Sequence, residues 1–140
     1  MITAKRSAFV LGVMALCTAP PSVTQLAAAT PLASRISDAG GVRVTVTPKA
    51  MEPGATVWEF ALVMDTHTRP LNEDLARAAV LIDDSGREHA ALAWQGDPPG
   101  GHHRKGILRF PVPAERPKVV ELQISGVGGP GKRVFRWERN

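Results

Sequence analysis

The chain of 140 residues has a single cysteine, Cys17, and none after it. That excludes disulfide staples and thiolate metal centres from the remainder, and with them an antibody-type domain built on a core disulfide. Helical periodicity is almost as scarce. Only Asn72–Arg77 reads as a helical turn, capped by Asn72 and too short to stand alone. The apolar run Ala8–Cys17 is too short to span a bilayer as a helix. The glycine-rich stretch Gly126–Gly131 is followed by neither the Lys-Ser/Thr pair nor the helix that a phosphate loop requires. No nucleophile-elbow spacing occurs, and no acidic pair is spaced for general acid–base work.

The run Ala8–Cys17 follows the positive pair Lys5-Arg6, and Ala27-Ala-Ala29 supplies small residues of the kind a signal peptidase accepts. Residues 1–29 therefore read as a secretory signal peptide, cut after about Ala29. Pro20 argues against cleavage after Ala19. Leu16, larger than the Gly or Ala that lipoprotein signals carry, argues against lipidation of Cys17. The formal net charge of the whole chain is +4. Loss of Lys5 and Arg6 takes seventeen basic residues to fifteen against thirteen acidic ones, a net of +2. No electrostatic footprint for nucleic acid survives. The expected mature protein is a single domain, periplasmic or secreted, with no membrane span after cleavage.

Residues 30–41 mix Pro, Ser, Ala and Gly without an apolar period and read as a linker or leader. From 42 to 140 the chain alternates apolar and polar residues between turn signals, which predicts about seven strands: 42–46, 57–65, 78–83, 88–94, 106–110, 119–125 and 132–137. The strongest is Val57–Asp65, whose Trp58, Phe60, Leu62 and Met64 share one face and should form the centre of the core. Met64 reads as core filler rather than a copper ligand, and His89 as a solvent-facing strand position. The pattern is that of an all-β, two-sheet antiparallel sandwich.

The stretch between two of these strands, Trp94 to Gly106, holds two of the four histidines and four of the thirteen glycines. Asp97-Pro98-Pro99 stiffens its first half and Gly100-Gly101 frees its second. His102-His103-Arg104-Lys105 follow, a cluster that also fits a solvated strand end. If the strand has already begun there, only one of His102 and His103 can face a given site. Trp94 reads as a plug at the core's edge, its indole N–H bonded to a loop carbonyl. Pro98, Pro99 and Arg104 join it as a ligand or partner loop. Asp65 and His67, two residues apart, could orient an imidazole or co-ligate a metal, or simply satisfy a turn.

The strand order resembles the immunoglobulin-like or fibronectin-like sandwiches of exported bacterial envelope proteins. Gly101-His-His-Arg-Lys-Gly106, running into Ile-Leu-Arg-Phe-Pro-Val112, also resembles the Gly-His-Pro-x-x-Gly segment of periplasmic copper-resistance carriers of the CopC type. That resemblance implies a Cu(II) ligand at His102. Those carriers also ligate copper through a histidine that begins their mature chain, whereas here no histidine precedes His67.

Three readings follow. The first is a non-enzymatic binding domain of the periplasm or envelope that needs no cofactor and takes an envelope protein or a small ligand. The second is a metal carrier or sensor holding copper or zinc through His67, His102 and His103 with Asp65 and Asp97. The third, an enzyme, ranks last and requires His67, His102 and a carboxylate to converge.

Overall fold

The computed structural model describes residues 30–140; the proposed signal peptide, 1–29, lies outside them. The chain folds as two antiparallel sheets, an all-β sandwich. The five-stranded sheet has the order β1 (Arg35–Ala39), β2 (Val42–Pro48), β3 (Val57–Thr66), β7 (His103–Pro111), β6 (Ala93–Gly96). The four-stranded sheet has the order β5 (Glu88–Ala90), β4 (Ala79–Asp83), β8 (Val119–Ser125), β9 (Lys132–Glu138). No helix among the described residues is long and apolar enough to cross a membrane.

Period-two alternation produces the core. Val42, Val44 and Val46 on β2 face inward beside Trp58, Phe60, Leu62 and Met64 on β3, all of them buried. Leu81, Val120, Leu122, Ile124, Phe135 and Trp137 answer from the other sheet. The sheets meet through aromatic rings: Phe60 lies 5.5 Å from Trp137 of the opposite sheet and, within its own sheet, 5.8 Å, edge to face, from Phe110. Such contacts add to the burial of large apolar rings.

Among the described residues nine strands form where seven are expected, and each difference has a local cause. Residues 30–41 are not a linker throughout, because β1 occupies Arg35–Ala39 and pairs along β2. Its side chains are mostly exposed, so it shows no apolar period, and backbone pairing alone makes it a strand. Gly40 (φ +58°) and Gly41 (φ +72°) form the two-residue turn, with the positive φ values that a primed hairpin turn needs. The segment 88–94 divides at Ala91-Leu92. Its first part pairs β4 and its second pairs β7, so the chain changes sheets there. The helical turn α1, Leu75–Ala78, is capped by Asp74 and not by Asn72, the Asp74 side chain accepting from the Arg77 amide.

Arg133, on an inward position of β9 and only 6% exposed, fastens β1 to the opposite sheet. Its guanidinium donates to the carbonyls of Val127, Ser37 and Ala39. Arg35 donates to the Arg136 carbonyl and the Trp137 indole to the Ala33 carbonyl, so the two sheets are stitched along this side. Replacing Arg133 by Ala leaves three carbonyls short of a donor and should cost about 3 kcal/mol in urea unfolding. Hydrogen exchange in the variant should be fastest at the β1–β2 hairpin.

Candidate functional site

At one end of the five-stranded sheet a cleft of about 600 Å³ is lined by Asp38, Gly41, Arg43, Asp65, Thr66, His67, His102 and His103. Three separate segments supply them: the β1–β2 hairpin, the end of β3 with its following loop, and the start of β7. Asp65 and His103 stand directly opposite across β3 and β7, and His103 Nδ1 is hydrogen-bonded to the Asp65 carboxylate. A carboxylate on one ring nitrogen fixes the imidazole's orientation and leaves Nε2 for a ligand. Arg43 pairs with Asp38 at 2.8 Å across β1 and β2. His67 and His102 are exposed.

Backbone bonds hold the two loops together. Thr66 N–H donates to the His102 carbonyl at 2.9 Å, Leu71 N–H to Gly101, and Gly100 N–H to Leu71. Thr66 is 2% exposed, and its hydroxyl accepts from the Thr68 amide. Behind this clasp lies Arg104, 1% exposed. Its guanidinium donates to the carbonyls of Leu71, Glu73 and Asp97 at 3.1, 2.9 and 3.2 Å, and it packs 5.6 Å from the centre of the Trp94 ring. Burial lowers its pKa from the ordinary arginine value, while the carboxylates of Glu73, Asp97 and Asp74 pull it back.

Several expectations change here. Arg104 is not part of a solvated strand end or a partner loop; it faces inward on β7 and holds the loops. Both His102 and His103 line the cleft. β7 begins at His103, so His102 still lies in the turn and strand alternation does not separate them. Asp97 is outside the cleft lining, and its carboxylate accepts from the Lys105 amide at 2.9 Å. Pro98 and Pro99 are exposed, also outside the cleft. The Trp94 indole does bond a loop carbonyl, that of Asp97, at 2.9 Å. Its ring covers Gly96 and Gly106, where an added Cβ would lie 2.9 and 2.7 Å from it. Among the described residues no three His, Cys, Asp or Glu side chains are placed to hold a metal ion.

Asp38 and Gly41 are cleft members that the linker reading hides, and Arg43, in the expected strand 42–46, joins them. Gly40-Gly41 just before an alternating strand is the hairpin signal that exposes them. His89 is not a solvent-facing strand residue either. Its side chain is 19% exposed, and Nε2 lies 2.9 Å from the Asp83 carboxylate. Asp83 also accepts from the Ser85 hydroxyl at 2.6 Å and from the Ser85 and Arg87 amides, both at 3.0 Å. The Ser85 hydroxyl, then His89, then the two amides hold its carboxyl well below the usual carboxylate range. This knot shapes the β4–β5 turn in the other sheet.

Two outcomes follow. Arg104→Ala orphans the Glu73 carbonyl and takes one of two donors from those of Leu71 and Asp97, and should lower stability by about 2 kcal/mol, broadening the NMR signals of 66–71 and 97–102. For Asp83 the folded pKa is depressed, so its contribution is complete above the ordinary carboxylate pKa of about 4 and is lost as pH falls toward the folded value. Asp83→Asn should therefore destabilise at pH 7, with the two melting curves converging below about pH 4.

No family model matches this chain, nor does any curated protein or solved structure.

Proposed function

We propose that this chain is an exported, non-enzymatic binding domain of the periplasm or cell envelope, and that the cleft of Asp65, His67, His102 and His103 is its contact surface. The observation that carries this reading is the convergence of those four side chains, with Asp38 and Arg43, from three segments on one concavity. Loops at the end of a rigid sandwich are where such domains place recognition. The only hydroxyl in the lining is that of Thr66, buried and bonded to Thr68. That favours recognition over nucleophilic chemistry. Imidazoles beside one guanidinium and two carboxylates suit a polar partner carrying both donors and acceptors.

A second reading, a copper or zinc carrier or sensor, draws on the Asp65–His103 bond, which is the usual way a ligating imidazole is oriented. His67 and His102 would have to turn toward His103 to complete a ligand set, since none stands assembled.

The test is a comparison between the protein and a His67→Ala, His103→Ala variant. Bait recovered from envelope extracts should retain a partner or ligand that the variant loses; equal recovery by both overturns the binding reading. In parallel, Zn(II) or Cu(II) titration followed by calorimetry should give a Kd near or below about 1 μM if the metal reading holds, against about 1 mM for scattered surface histidines. Millimolar affinity, or affinity unchanged in the variant, removes the metal.

A further inference from the structure

The outer face of the five-stranded sheet carries a pattern that starts at the rim of the cleft and runs on beyond it. Its side chains fall in rows across the strands. Asp38, Arg43, Asp65 and His103 form the first row. Ile36, Thr45, Val63 and Lys105 form the second. Thr47 and Ala61 stand opposite each other in the third, beside Ile107. In the fourth, the Lys49 amide donates to the Glu59 carbonyl, and Glu59 stands opposite Arg109. Ile36 and Val63, 66% and 36% exposed, share the second row. The middle of the face is thus apolar and threonine-rich, with charged rows above and below.

On the two central strands the charges are arranged as complements. Row by row, β2 and the residue following it present Arg43, Thr45, Thr47 and Lys49; β3 presents Asp65, Val63, Ala61 and Glu59. Every cation on one strand has an anion beside it on the other, and the neutral rows pair the isosteric Thr45 and Val63 and the small Thr47 and Ala61. A two-fold axis parallel to the strands, lying between β2 and β3, would set Arg43 against Asp65 of a second copy and Lys49 against its Glu59, each twice. Thr45 would meet Val63, and Thr47 would meet Ala61. Like charges would meet nowhere on these strands. The same axis puts Ile36 against the aliphatic stem of Lys105, and Asp38 against His103. This is the self-complementary geometry of an isologous interface, with two sheets stacked face to face.

We infer that the outer face of the five-stranded sheet is a self-association surface that takes a second copy of this chain about a two-fold axis between β2 and β3. The inference does not rest on what the cleft binds, although Asp38, Arg43, Asp65 and His103 belong to both surfaces, so that association covers part of the cleft. Of the charges that would cross the interface, Arg43, Asp65 and Glu59 are already partnered in their own sheet, by Asp38, His103 and Arg109, and Lys49 gains its partner, Glu59, from the second copy. Association then adds contacts without burying an unpaired ion.

Sedimentation equilibrium of the purified protein tests it. The wild type should show a monomer–dimer equilibrium in the micromolar range, and Val63→Glu should weaken it by about tenfold or more while far-UV circular dichroism stays unchanged. Lys49→Glu alone would set Glu against Glu59 of its copy, and Glu59→Lys alone would set Lys against Lys49, so each should be monomeric. An equimolar mixture of the two restores both contacts and should dimerise about as tightly as the wild type. A wild type that stays monomeric at hundreds of micromolar overturns the inference, as does a Val63→Glu dimer of unchanged strength. A mixture no more associated than its parts excludes this axis and overturns it too.

Discussion

A buried guanidinium sets the geometry of the functional end of this molecule. Arg104 sits where an apolar side chain of β7 would ordinarily enter the core, and it spends its donors on the carbonyls of Leu71, Glu73 and Asp97. These carbonyls belong to two loops, one of which reaches the core through Leu71. The Leu71 and Asp97 carbonyls also accept from the Gly100 amide and the Trp94 indole, and the guanidinium ties both loops to one point. With Arg104 in place, the backbone clasp from Thr66 to His102 and from Leu71 to Gly100-Gly101 can close. His67 and His102 are thus held through main chain with their side chains exposed, while His103 is also held by the Asp65 carboxylate.

The rest of the sandwich supports that end in a similar way. Arg133 does for the β1–β2 hairpin what Arg104 does for the loops, reaching across from the other sheet to the carbonyls of Ser37 and Ala39. Both arginines occupy inward positions on strands, and both bring buried donors to backbone carbonyls of distant segments. Apolar burial drives the two sheets together, and these polar bridges choose how their rims are arranged.

Much of this was legible along the chain. The inward face of β3 reads directly as Trp58, Phe60, Leu62 and Met64, because alternation has a fixed consequence in a sheet. The sandwich class follows from seven such patterns. Asp65 and His67, and the pair His102-His103, stand out by type and spacing, and they do reach the same cleft. What failed was anything whose signal is not apolar. β1 has no buried stripe and reads as linker. Arg104 reads as a solvated strand end, since nothing in a list of neighbours reveals that the carbonyls it answers lie up to 33 residues away. Asp97 reads as a ligand, yet its carboxylate serves the next strand's amide.

The amino-acid order alone therefore determined the two-sheet architecture, the core's central strand and the histidines worth examining, because each of these is encoded by periods of two and by residue chemistry. The folded chain decided which of those residues meet. Asp65 faces His103 through the β3–β7 register, and Asp38 and Arg43 join them through a hairpin closed by two glycines in the left-handed region. Register and loop closure depend on contacts between distant segments, and such contacts exist only once the core has formed.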